Sequence, residues 1–412
     1  MSYRKLGDLV KFVTNKNTDG NATVLFGINI DKFFMPSVAN IIGVDLKKYK
    51  VVERQQFACN RMHVGRDERL PISMSTFDYN FIVSPAYDVF EVITSDVLPE
   101  YLMLWFRRKE FDRQCWFYTD ADVRGGLHLD ALKSIEIKVP SIEEQRQIVA
   151  QYQSIANKIK VNEQICEKLE ATAQALYKHW FVDFEFPNEE GKPYKSSGGQ
   201  MVWNEEIGKE IPEGWKLEAI NSLCTIGSSK RIFESEYVSS GVAFYRGKEI
   251  TLKKEGKTIT DPYFISRVRF EDLVEKYGKP KNGDILMTAV GTIGSTYMVQ
   301  DEEFYFKDGN VMWFKDFIIS GVNFFLYDFM QSESFKDIIS EITIGSTQSA
   351  ITITTFGSQK ILFPNEVTLI IYSGKSENIN LLIAKYKNQN QKLTQLQSLL
   401  LSRLAVGEEV GA

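Results

Sequence analysis

Arginine, lysine, glutamine and hydroxyl residues recur in five short loops of this sequence. Together they have the chemistry of hydrogen bonding to nucleic acid. In the first half the loops are Asn60-Arg61-Met62-His63-Val64-Gly65-Arg66, followed by Arg69, and Asp122-Val123-Arg124-Gly125-Gly126. In the second they are Gly227-Ser228-Ser229-Lys230-Arg231, Tyr245-Arg246-Gly247-Lys248 and Gly345-Ser346-Thr347-Gln348. An arginine fork donates twice to guanine, a glutamine amide bonds twice to adenine, and lysines and hydroxyls hold phosphates. Glycines let the backbone approach a duplex. Any one loop also reads as an ordinary solvated loop, but five such loops fall at strand ends in matching halves. The candidate contacts are Arg61, His63, Arg66, Arg69 and Arg124, then Ser229, Lys230, Arg231, Tyr245, Arg246, Lys248, Thr347 and Gln348. Arg107-Arg108-Lys109 reads instead as the exposed face of a helix.

Other constellations stop short of an active site. Gly374-Lys375-Ser376 ends like a phosphate-binding loop, but position 369, where the motif needs glycine, is leucine. Asp261-Pro262-Tyr263-Phe264 resembles an adenine-methyltransferase tetrapeptide without its second proline, and no glycine-rich cofactor loop follows a strand. Glu136-Ile137-Lys138, with Asp122 or Asp130 upstream, has a nuclease-like spacing that is common by chance. The run from Gly283 to Gly294 contains a GxxG, but without the helices and basic residues of an RNA clamp it reads as strand, turn, strand. Cys59, Cys115, Cys166 and Cys224 form no CxxC pair, and none has zinc-ligand spacing to His63, His128 or His179. No catalytic residue, metal ligand or cofactor site is expected in the chain.

Composition bounds the frame that must position the loops. The 412 residues allow two or three domains, and 43% hydrophobic and 25% charged residues are ordinary for globular protein. No apolar run reaches membrane-spanning length and no signal segment follows Met1, so a cytoplasmic protein is expected. The net charge of −5 implies weak affinity for bare DNA and a contribution from partners.

Internal duplication organises the chain. Shifted by 224 positions, Phe90 meets Phe314, Tyr101-Leu102 meets Phe325-Leu326, Phe111 meets Phe335, Pro140 meets Pro364, and Lys168-Leu169 meets Lys392-Leu393. Before Phe90 the offset changes, and Phe57-Ala58-Cys59 meets Ile285-Leu286-Met287. Each half is thus a globular domain followed by a helix: 1–140 and 141–186, then, after a Pro/Gly/Ser-rich linker within 187–204, 205–364 and 365–412.

The helices carry a heptad seam. In the first, which opens with a capping box at Ser141–Glu144, the positions are Ile148, Tyr152, Ile155, Ile159, Asn162, Cys166, Leu169, Ala173, Leu176 and Trp180. The second keeps Ile379, Ile383, Tyr386, Leu393, Leu400 and Leu404, while its first turns, around Tyr372-Ser373-Gly374, read as frayed. Asn162 and Asn390 either fix the register or lie at the seam's edge. A two-fold axis perpendicular to the helices would pair them antiparallel.

These pieces carry a family likeness. The chain resembles the specificity subunit of type I restriction–modification systems. The matching segments are VPSIEEQRQIV at 139–149, KLEATAQALYKHWFVDFE at 168–185, GKEIPEGWKLEAI at 208–220, GDILMTAVGTIG at 283–294, GSTQSAITIT at 345–354 and KLTQLQSLLLSRLAVGE at 392–408. The resemblance implies two α/β target-recognition domains separated by two long helices in an antiparallel coiled coil, hence a mixed α+β chain. It implies a bipartite target in double-stranded DNA with an unread spacer. It also implies partners that hold the cofactors: two modification subunits that methylate adenine, and motor-nuclease restriction subunits. The alternatives are a reader fused to an unrecognised nuclease or methyltransferase, and a coiled-coil scaffold.

Overall fold

The computed structural model describes residues 2–38, 43–119, 125–343 and 350–404. The chain divides into two compact units, Met1–Ile159 with Leu393–Ala412, and Lys160–Lys392.

In the first unit, strands Val10–Val13, Asp88–Val92, Phe57–Cys59 and Ile72–Met74 form an antiparallel sheet in that order. The two-residue period of a strand sends alternate side chains to opposite faces. Phe57, Cys59, Phe90 and Ile72 therefore join a core with helices Pro99–Phe106, Lys109–Phe117 and Leu129–Ser134. Ala58 and Val89 face a second core, built on Phe26, Val52, Phe81 and Val83. Strand Ser2–Lys5 pairs with Glu136–Val139, so the E-x-K segment is a ladder strand leading into the long helix.

The second unit repeats this frame. Thr225–Gly227, Val311–Lys315, Ile285–Thr288 and Thr296–Met298 form a sheet of the same order. Phe57 faces Phe90 in one half and Ile285 faces Phe314 in the other, as the changed offset requires. Helices Val322–Phe329, Glu333–Thr343 and Ile353–Gly357 follow in the same succession. Lys216–Ala219 pairs with Lys360–Phe363, as Ser2–Lys5 does with its partner. The halves differ beneath the sheet. The second has a four-stranded sheet of Tyr237–Val238, Tyr263–Ile265, Val242–Tyr245 and Phe304–Phe306, where the first has short two-stranded pairs. Among the described strands only Val242–Tyr245 and Phe304–Phe306 pair parallel, so the mixed chain is α+β in character.

The long helices run Ile142–Tyr177 and Glu366–Arg403. Asn162 is fully buried and donates through Nδ2 to Asn390 Oδ1 at 2.7 Å and to Gln389 Oε1 at 3.0 Å. The Cys166 thiol points at the Ile383 carbonyl, and Lys387 pairs with Glu170 at 2.8 Å. Asn162 meets Asn390 and, one turn on, Cys166 meets Ile383, so the partner's number falls as the first helix's rises, which is antiparallel pairing. Asn162 lies in the seam rather than at its edge. In the first unit, Ile148 and Tyr152 share the core with Leu401 and Leu404.

Two expectations are corrected. The second helix does not fray at Tyr372-Ser373-Gly374: it is continuous from Glu366, and its seam extends back through buried Tyr372 and Ser376. The reason is Asp328, whose Oδ2 accepts bonds from the Tyr372 hydroxyl at 2.7 Å and Ser376 Oγ at 2.5 Å. Arg108 is not on an exposed face. It is 4% exposed, lies 4.2 Å from the Trp105 ring centre and pairs with Glu110 at 3.6 Å. Segment 187–200 is a series of turns held by aromatic packing: Tyr194 stacks on Phe186 at 4.5 Å and Phe186 on Trp215 at 5.1 Å. All four cysteines are free and buried, and burial pushes the Cys224 thiol up to about 12.

Candidate nucleic-acid interface

The first unit brings its two polar loops together. Asn60 caps the turn Arg61–His63 by accepting from the Met62 N–H at 3.1 Å. Arg61 is half-buried; its guanidinium donates to Asp88 and to the Leu127 carbonyl, both at 2.5 Å, and the Leu127 N–H returns a bond to the Arg61 carbonyl at 3.0 Å. Arg61 thus ties the loop at 60–66 to the segment after Gly125. The Gly65 N–H donates to the Gly125 carbonyl at 2.8 Å, and a Cβ on Gly65 would stand 2.7 Å from that oxygen. Gly65→Ala should force the loops apart at a cost of about 1–3 kcal/mol. Thermal unfolding should register it; an unchanged midpoint would show that the contact is dispensable.

Of the other first-half candidates, His63 and Arg66 are exposed, and Arg66 makes a two-bond pair with Asp67 at 2.7 and 3.0 Å. That pairing holds the Arg66 guanidinium above its ordinary range and the Asp67 carboxyl below its own. Arg69 is exposed, 3.7 Å from Asp31.

The second unit joins its loops by a chain of backbone bonds. The Lys307 N–H donates to Tyr245 O at 2.8 Å, the Ala289 N–H to Asn310 O at 2.8 Å and the Ile351 N–H to Ala289 O at 3.0 Å. Arg231 pairs with Asp308 at 3.1 Å, and the Gly309 N–H donates to Ser228 Oγ at 3.2 Å. The loops bearing Lys230, Arg231, Arg246 and Lys248 therefore adjoin one another and the Val290–Ala350 bridge. Lys230 lies 4.8 Å from the centre of the Tyr277 ring. Lys248 is exposed at the start of helix Gly247–Lys254.

Arg246 is held from two sides. It donates to Glu249 Oε2 at 3.1 Å and Oε1 at 2.9 Å, and its guanidinium lies 4.0 Å from the Tyr263 ring centre. Glu249 is buried; burial pushes its carboxyl up, but the bonds from Arg246 bring it below the ordinary range. Removing Arg246 would strand that carboxylate, so Lys248 is the cleaner probe of this loop.

Two predicted contacts lie beneath the surface. Ser229 Oγ donates to Phe306 O at 2.5 Å, and Tyr245 stacks on Phe304 at 4.5 Å with its hydroxyl 3.3 Å from Glu302. Both brace the loops from within. Arg124, Thr347 and Gln348 lie outside the described residues.

Two copies of one sheet-and-helix frame, each with cationic loops gathered together, define a duplicated DNA-recognition protein. The model of the type I restriction modification DNA specificity domain matches residues 2–171 and again 212–398, and the chain belongs to that family. It is similar to the HindI specificity subunit of Haemophilus influenzae, 22% identical over 92% of each chain. It is also similar to the MjaIX specificity subunit of Methanocaldococcus jannaschii, 26% identical over 76% of this chain and 69% of that one. Its fold resembles the crystal structure of a type I restriction–modification S subunit from M. genitalium, with a TM-score of 0.57 at 12% identity, covering 98% of this chain and 95% of the other. Among the described residues no helix is long and apolar enough to cross a membrane.

Proposed function

We propose that this chain is a DNA sequence-reading subunit of a cytoplasmic type I restriction–modification complex, without catalysis of its own. Residues 1–140 read one half of a bipartite duplex target and 205–364 read the other. The helical segments 141–186 and 365–412 set the unread spacer and dock two modification subunits, with 187–204 as the connection. Adenine methylation belongs to the modification subunits, and ATP-driven translocation and cleavage to restriction subunits. The observation that carries this reading is the sheet frame present twice, with different strands in the layer beneath it. A common frame with variable loops is how one architecture serves different base sequences.

Exchanging residues 1–140 for the first domain of another family member should change one half of the methylated motif and leave the other. Single-molecule methylome sequencing in cells with each chain reads this directly. A change in both halves, or in neither, would refute separate readers.

A further inference from the structure

Helix Lys109–Phe117 buries Phe111 and Cys115 and turns a different face outward. Lys109, Arg113, Trp116 and Phe117 fall at i, i+4, i+7 and i+8, on one side of the helix, and all four are exposed. Phe117 is 81% exposed and Trp116 47%, followed at once by exposed Tyr118. The end is rigidly built: the Thr119 N–H and hydroxyl both bond Trp116 O, at 3.0 and 2.7 Å. Adjacent cations and aromatic rings on one rigid face match a polyanion that also offers flat apolar rings, as DNA does.

This face is continuous with the loops described above. Thr119 bridges to Leu127, the residue bonded to Arg61, and the turn Val64–Asp67 that carries Arg66 packs against the same helix. The duplication supplies an internal contrast. At the 224-residue offset the second half places Glu333, Asp337, Ser340 and Glu341, all exposed on helix Glu333–Thr343. The frame therefore accepts either charge here, and packing does not require the cationic-aromatic face.

We propose that the outer face of helix Lys109–Phe117 is a DNA-contacting surface of the first half alone. Lys109 and Arg113 hold phosphates, and Trp116 and Phe117 lay their rings on the sugar and base edges beyond the reading loops. This rests on the DNA-reading function proposed above. It predicts a contact lopsided between the half-sites, adding affinity without sequence information.

The test uses the full chain with its modification subunits and a duplex bearing its methylated motif. Lys109→Gln with Arg113→Gln should weaken binding and reduce the slope of log affinity against log salt by about 1.8, with the methylated motif unchanged. Trp116→Ser with Phe117→Glu, which installs the second half's residues, should weaken binding roughly tenfold while the complex assembles normally. Wild-type affinity and slope in both variants would overturn the proposal. So would variants that bind DNA normally but lose a modification subunit, since the face would then cover protein. If the unaltered complex prefers no sequence, the reading of the loops fails instead.

Discussion

A chain lengthened by seven residues in each long helix should direct methylation to the same two half-sites, with the spacer between them longer by about three base pairs. Seven residues add about 10.5 Å of helix at ~1.5 Å each, against ~3.4 Å per base pair. They also restore the heptad phase. The Asn162–Asn390 bond places Lys160 opposite Lys392, so an insertion beside one must be matched beside the other. Four residues would instead rotate the seam by about 40° and put polar residues into it. Methylome sequencing distinguishes the outcomes. If the spacer stays constant in a folded, active complex, the helices are not the ruler, and the turns at 187–200 become the candidate.

The second large effect is on stability. Asp328 is buried among the Tyr372, Ser376 and Asn380 side chains, and its backbone oxygen accepts from Gln174 Nε2 at 3.1 Å. Burial pushes its carboxyl from 3.8 up to about 6, against the hydrogen bonds from Ser376, Tyr372 and Asn380. A carboxyl with a folded-state pKa above its unfolded value favours folding most while neutral. That contribution is complete below about 3.8 and is lost as pH rises through about 6. Asp328→Asn keeps the shape and an acceptor but cannot ionise. Its stability relative to the unaltered chain should therefore rise by about 2 kcal/mol between pH 4 and pH 8. Urea unfolding across that range measures it, and parallel pH curves would show that the carboxyl does not titrate there. The neighbouring phenols of Tyr177 and Tyr372 are pushed upward by burial and stay protonated throughout.

Much of the frame was legible because it is repeated. Side chains that face a core are constrained in size and spacing, so Phe90 and Phe314, or Phe57 and Ile285, keep step across 224 or 228 positions. The seam was legible as far as Ile379 and then lost. Ser376 looks like a helix-weakening residue until its partner Asp328 is seen, 48 positions away on another helix. The site was less legible. Cationic composition marks a loop but not which side chain faces outward, so Ser229 and Tyr245 read as contacts although backbone bonding and ring stacking hold them inside. Reading Arg107-Arg108-Lys109 as one block also hid the difference between Arg108, sunk over Trp105, and Lys109, which begins an exposed stripe. Only the helical phase, four residues on to Arg113 and eight to Phe117, separates them.

Leu401 and Leu404 complete the core of the unit that begins at the N-terminus. During synthesis, that unit emerges from the ribosome more than two hundred residues before its last core side chains exist. The whole of 160–392 must be translated first. In that interval the core that Ile148, Val149 and Tyr152 pack against still lacks Leu401 and Leu404, and the apolar surface those two leucines cover stays open. A transcript broken in the second half would therefore release a first unit whose core is incomplete and whose long helix is sticky. The late closing of its core makes the integrity of the full message a condition for a well-behaved product.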